Sequence, residues 1–381
     1  MLGGCRDRDE PPLHRLTCCG DFGGDAILRR GNAARRVSAP SEPPQRSRRP
    51  RVTVLLLALS FALLLGGAVL FTNAVEWMGL RLNVGHSATG SLLAAVGTAL
   101  PESTIPVVAL LGGGEGSEDV AIGAIIGAPF MLATVAMLLV ALSALGFRRR
   151  RANGRRLHTD AGLVRRDLGS FLGLFGVALL LGLGAPQWLQ IAGGGLLLVA
   201  YGVYAWRTVV GGGAPAEEEK LTPLTLDPSR HDPPTNWQIA LQVILGLGMI
   251  VGGSELFVEE IVVVAESLGV GALALALVIA PLATELPEKA NSILWIRQGK
   301  DSLAIGNITG AMVFQSTIPV SIGLVFTDWS LNGFAAVAAA LALAGGAIAL
   351  WTLRRGEVRA SAAVAWAALF SAFVVFVAVA G

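Results

Sequence analysis

From residue 52 onward the chain alternates long apolar stretches with short polar turns. The stretches lie at 52–74, 88–111, 120–146, 168–184, 188–210, 237–265, 270–296, 302–326, 331–352 and 360–380. A helix needs about 20 apolar residues to cross the hydrocarbon core of a bilayer. The pattern therefore predicts an all-α membrane protein of ten transmembrane helices, five in each half. Residues 1–51 are rich in Arg, Pro and Gly, lack apolar periodicity and have no signal-peptide core, so they read as a disordered basic tail. Residues 211–236 hold Pro215, Glu217, Glu218, Glu219, Pro223, Pro228, Pro233 and Pro234, and read as a polar linker loop. The expected division is a first five-helix repeat at 52–210 and a second at 237–381.

The two halves are related in sequence. A shift of 186 positions superposes Gly66-Gly67 on Gly252-Gly253, Leu70-Phe71 on Leu256-Phe257, Leu82 on Leu268 and Val84-Gly85 on Val270-Gly271. The same shift, without a gap, carries Thr98-Ala99-Leu100-Pro101-Glu102 onto Thr284-Glu285-Leu286-Pro287-Glu288. After a connector three residues shorter in the second copy, Ala121-Ile122-Gly123 and Gly127-Ala128 recur as Ala304-Ile305-Gly306 and Gly310-Ala311. Glycines, a proline and a glutamate kept in register exceed what shared apolar composition produces.

Composition agrees with the span pattern: 53% of residues are hydrophobic, 15% are charged and the mean hydropathy is +0.64. The bilayer is thus the expected surrounding. A formal net charge of +2 gives no reason to expect a nucleic acid partner. Cys5, Cys18 and Cys19 all lie in the tail, so the apolar core holds neither a disulfide framework nor a cysteine metal site.

Loop charge sets the expected orientation. The loops after spans one, three, five, seven and nine carry Arg81; Arg148 to Arg151 with Arg155, Arg156, Arg165 and Arg166; Arg207, Lys220 and Arg230; Arg297 and Lys300; and Arg354, Arg355 and Arg359. The loops on the other side carry no Lys or Arg. By the positive-inside rule the basic loops are cytoplasmic and both termini lie outside. Arg46, Arg48, Arg49 and Arg51 oppose this, and the larger set decides. Five spans being an odd number, the second half enters the membrane inverted relative to the first, the arrangement of carriers that alternate access about a midplane site.

The repeated phrase supplies the chemistry. A proline cannot donate to the carbonyl one turn earlier. Pro101 therefore loosens the backbone around Gly97 and Thr98, and Pro287 does so around Ala283 and Thr284. Such backbone is tolerated at membrane depth where it lines a cavity or is otherwise satisfied. The Thr98 and Thr284 hydroxyls and the Glu102 and Glu288 carboxylates, one turn away, complete two clusters of hard oxygens. These suit Ca²⁺, Na⁺, Mg²⁺ or Mn²⁺ rather than Cu or Zn.

On these residues the chain resembles the cation/calcium exchanger superfamily. Gly97-Thr98-Ala99-Leu100-Pro101-Glu102 with Gly123-Ala124-Ile125-Ile126-Gly127 resembles its first signature repeat. Ala283-Thr284-Glu285-Leu286-Pro287-Glu288 with Gly306-Asn307-Ile308-Thr309-Gly310 resembles its second. The resemblance covers about residues 52 to 381. It implies a ten-helix fold with helices two, three, seven and eight around the site, and exchange of Ca²⁺ for Na⁺ or H⁺. It also implies Glu102 and Glu288 as central carboxylate ligands, Thr98 and Thr284 as hydroxyl and carbonyl ligands, and Asn307 at the site. No resident cofactor is implied, the inorganic cations being the cargo.

Several positions depart from the family pattern. Ala99 and Glu285 stand where the family has Ser, Leu132 removes a third-helix oxygen ligand, and Gln315 offers an amide where an acid or Asn is usual. Fewer side-chain oxygens mean fewer ions held at once, which favours proton coupling over three Na⁺ per Ca²⁺. Glu285 and Lys289 have the i, i+4 order of a helical ion pair. Either they neutralise each other, or Glu285 serves as ligand or proton carrier while Lys289 competes with the cation. Glu255, Glu259 and Glu260 read as a helix end meeting solvent or as a cation funnel. Glu76 and His86 read as interfacial, and Glu115, Glu118 and Asp119 read equally as a solvated loop or as a lure for cations from outside. Asn291 faces the site or a neighbouring helix, and Gly66-Gly67, Gly193 to Gly195 and Gly345-Gly346 read as close helix packing. The expected function is a secondary-active antiporter. A proton-coupled exchanger of Mn²⁺ or Mg²⁺ and a cation channel are the alternatives. No GxSxG or HExxH arrangement supports an intramembrane enzyme.

Overall fold

A computed structural model describes residues 50–81, 100–151, 154, 156–210, 222–227, 234–331, 333–355 and 359–380. Within its helices the side chains of residues 50, 51, 76, 79, 80, 100, 101, 209, 283, 286–288 and 291 lie outside the description. The basic tail, His86, and Gly97 to Ala99 of the first phrase also lie outside it, as do residues 211–221 and 228–233 of the linker.

Helices account for every regular element among the described residues. The first group is α1 (Pro50–Arg81), α2 (Leu100–Gly112), α3 (Ser117–Met131), a π-helical turn (Leu132–Ala136), α4 (Met137–Gly146), α5 (Ala161–Gly182) and α6 (Gln187–Val210). The second is α7 (Asn236–Leu268), α8 (Ala272–Thr284), α9 (Leu286–Gln298), α10 (Asp301–Gln315), α11 (Ile318–Phe326), α12 (Gly333–Leu353) and α13 (Ala360–Ala380). The expected stretches overlap these helices, with 120–146 running through α3, the π-helical turn and α4 in succession; of the expected span 88–111, residues 100–111 are described. Seven segments among the described residues are both long and apolar enough to cross a membrane.

The helix boundaries follow local chemistry. Thr235 caps α7 in a reciprocal box with Gln238, and Gly269 closes it in the left-handed conformation, at φ 68°. At 32 and 33 residues, α1 and α7 are the longest helices, each about 48 Å by the rise of 1.5 Å per residue. They pack on each other through glycines related by the 186-residue shift. A side-chain carbon at Gly67 would stand 2.8 Å from the Gly246 carbonyl oxygen, and one at Gly253 would stand 3.0 Å from Leu63. Apolar helices in lipid associate through such close backbone approach, since lipid offers no hydrophobic drive.

The α1–α7 pair packs on α2 and α8. In turn α3 lies against α2 and α8 and touches α10, so helices from the second, third, seventh and eighth spans adjoin. Their packing is tight at the signature glycines. A side-chain carbon at Gly123 would stand 2.8 Å from the Leu273 carbonyl oxygen, and one at Gly127 would collide with the Leu277 carbonyl. Behind α3, helices α5, α12 and α13 complete the main core, with Phe130 and Phe373 ring centroids 4.7 Å apart and the Trp366 indole donating to the Gly345 carbonyl.

Candidate cation site

Two consecutive helices, α8 and α9, cover the expected seventh span, with 13 residues on either side of Glu285. The break falls within the repeated phrase. At φ −86° and ψ 8°, Glu285 caps α8 while its own N–H still reaches the Pro281 carbonyl. Pro287 opens α9 in the first turn, where a residue without an N–H leaves no helical bond unmade. A half-helix therefore ends and another begins at the centre of an apolar span, which leaves carbonyl and N–H ends facing one place.

Around this break the polar groups are buried. Thr284 is buried and its hydroxyl donates to the Ala280 carbonyl at 3.1 Å. The Lys289 ammonium lies 2.9 Å from a Glu285 carboxylate oxygen and donates to the Pro281 carbonyl at 3.2 Å. The ion pair expected from their spacing is thus made. For Ala283 and Glu288 the backbone is placed in this break and the side chains lie outside the description. In the first half, Glu102 is 4% exposed and sits in the first described turn of α2. Thr98 and Gly97 lie outside the described residues.

The eighth span is broken as well. Ser316 and Thr317 separate α10 from α11, which starts with Pro319 in its first turn. Gln315, the last residue of α10, is buried, and its amide oxygen has no hydrogen-bond donor among the described residues. The third span has its counterpart: the π-helical turn begins at Leu132, the residue that Gln315 matches across the repeat. Single π turns concentrate at functional sites because they re-aim neighbouring groups. Asn307 donates to the Ser292 hydroxyl at 3.4 Å, which places its amide between α10 and α9, one turn beyond Glu288.

Residues 52–210 and 239–379 match the family described as sodium/calcium exchanger protein. The chain belongs to that family. It is 26% identical over 349 residues to CaxA of Alkalimonas amylolytica, named as an antiporter, covering 85% of this chain and 97% of that one. It is 24% identical over 248 residues to inner membrane protein YrbG of Escherichia coli strain K12, covering 65% and 71%. Among solved structures, the H⁺/Ca²⁺ exchanger CAX aligns with a TM-score of 0.63 at 19% identity, over 85% of this chain and 81% of that one. The sodium-calcium exchanger NCX_Mj aligns with a TM-score of 0.55 at 20% identity, over 85% and 98%. At these identities the two structures establish the shared fold. The chain is accordingly a multi-pass membrane antiporter of the sodium/calcium exchanger family, whose members transport cations and are not catalytic enzymes.

In this exchanger-family chain the sequence pattern missed several buried polar groups. Asp167, one residue before the fourth apolar stretch, accepts from Thr309 at 2.8 Å, Tyr204 at 2.9 Å and Arg166 at 2.9 Å. It ties α5, α6 and the signature helix α10 together. Arg151, which reads as part of a solvated arginine run, is buried and paired with Asp301 in the first turn of α10. Glu260 is fully buried, whereas Glu255 and Glu259 are exposed on another face of α7. A lone acid at the edge of an apolar stretch was the available signal for Asp167. Arg151 offered none.

Proposed function

We propose that the chain is a secondary-active antiporter that moves Ca²⁺ in exchange for Na⁺ or H⁺ through alternating access. The reading takes the helices as ten spans in two inverted five-helix repeats, with the basic loops cytoplasmic and both termini outside. Glu102 and Glu288 are the central ligands, binding the divalent ion or its competing monovalent ions in turn. Thr98, Thr284 and the backbone at Gly97 and Ala283 supply further oxygens, joined by Glu285, Asn307 and Gln315. The observation that carries the reading is the break at Glu285, which turns an apolar span into two facing helix ends beside a buried Thr284. Family membership supports it, as do the exchanger activities named for CAX and NCX_Mj.

The close glycine packing between α1 and α7 suits a pair that moves as one unit past the other helices. Inverted repeats favour counter-transport over a channel, since each half offers the site to one side. The test of the site is Ca²⁺ uptake by the purified chain in proteoliposomes under an imposed Na⁺ or pH gradient. Glu102→Gln, which keeps the size and removes the charge, is expected to abolish uptake. Uptake at the wild-type rate would remove Glu102 from the site.

A further inference from the structure

Among the described residues the Lys289 ammonium is held by a carboxylate oxygen of Glu285, at 2.9 Å, and the carbonyl oxygen of Pro281, at 3.2 Å. Its side chain is 4% exposed and that of Glu285 is 0% exposed. The carbonyl belongs to the last turn of α8, where the helix dipole leaves partial negative charge. A carboxylate together with the carbonyl end of a broken helix is the donor set with which membrane carriers hold a monovalent metal cation. An ammonium is a compact point charge with three donors and accepts the same surroundings.

The repeat shows that this arrangement is an addition to one half. Counting back 186 positions, Ala95, Ala99 and Ser103 stand where the second half has Pro281, Glu285 and Lys289. The second phrase and its flanks thus carry one more acid and one more base than the first. Stability alone explains the addition poorly, because a buried ion pair is often no more stable than apolar side chains of similar volume. Its place is the central break of the span, with Lys289 next in the chain to Glu288.

We infer that Lys289 is a tethered cation, its ammonium permanently filling a monovalent-ion position built from Glu285 and the Pro281 carbonyl. A mobile Na⁺ would otherwise take that position. For transport the inference rests on the antiporter reading: the cycle runs with one fewer mobile monovalent ion than the same site would use without the lysine. The occupancy itself is independent of transport.

The test compares the full chain with Lys289→Gln and with Glu285→Gln/Lys289→Gln, in detergent. The thermal unfolding midpoint is followed against NaCl, with N-methylglucamine chloride holding ionic strength constant. Ligand binding to the folded state raises the midpoint with concentration. Lys289→Gln takes the ammonium away from the Glu285 carboxylate so that Na⁺ can replace it, and its midpoint should rise with Na⁺ by several degrees more than that of the wild type. The double variant, with neither carboxylate nor ammonium, should follow the wild type. An equal rise in all three proteins would make the pair purely structural and overturn the proposal. So would a Lys289→Gln protein that stays unfolded at every Na⁺ concentration, since a mobile ion could then not replace the ammonium. A normal transport rate for Glu102→Gln beside the expected midpoints would remove Glu102 from the site and leave the tethered cation standing.

Discussion

A charge buried in an apolar span is stable only while its partner stays with it. The Arg151–Asp301 pair shows this outside the site. The Arg151 guanidinium donates to both carboxylate oxygens of Asp301 and to the Gly154 and Arg156 carbonyls, and Asp301 also accepts from the His158 N–H at 2.9 Å. Removing one partner of such a pair costs about 3–5 kcal/mol, because the other charge is left buried alone. Asp301→Ala should lower stability by about that amount, measured by thermal unfolding, and Arg151→Ala should match it. The Glu285–Lys289 pair was legible because its partners are four residues apart on one helix. The Arg151–Asp301 pair was not, because its partners are separated by 150 residues and Arg151 stands in a run of arginines that looks solvated.

At the scale of elements, the apolar stretches mark the described helices, because burial in lipid leaves a compositional trace along a span. The break at Glu285 was legible through Pro287. The π-helical turn at Leu132–Ala136 was not. It meets α12, where a side-chain carbon at Gly345 would collide with the Ala133 carbonyl, a contact with no local signature. The signature glycines, alike in sequence, differ in use. At Gly127 the backbone of α8 leaves no room for a methyl group, whereas at Gly310 a side-chain carbon would meet no heavy atom within 4 Å among the described residues. Gly127→Ala should therefore lower the yield of folded protein and its unfolding midpoint, and Gly310→Ala should change both little. Fluorescence-detected size exclusion on the two variants side by side checks the contrast.

Across the whole molecule, the linker is the largest departure from the sequence reading. Residues 222–227, expected as a plain polar loop, form a strap across α1 and α7. Asn73 donates to the Thr222 hydroxyl at 3.0 Å and accepts from the Thr225 N–H at 3.0 Å. Gln242 accepts from the Leu226 N–H at 2.8 Å and donates to Asn73 at 2.8 Å, while Leu224 is buried with Ala74, Trp77 and Ile239. Neither Asn73 nor Gln242 differs in type from an ordinary surface residue, so only the fold shows their purpose. Gln242→Ala removes the acceptor of the Leu226 N–H and one of the donors to Asn73, and the unpaired backbone N–H costs about 1–3 kcal/mol. It should make the strap more susceptible to limited proteolysis than in the wild type. The central claim concerns the molecule as a carrier, and counter-flow of labelled Ca²⁺ into proteoliposomes loaded with Na⁺ or acid tests it most directly. Saturable, gradient-driven Ca²⁺ uptake that stops when the opposing ion is withdrawn is the predicted result. Ca²⁺ flux that persists without an opposing ion and scales linearly with concentration would contradict it.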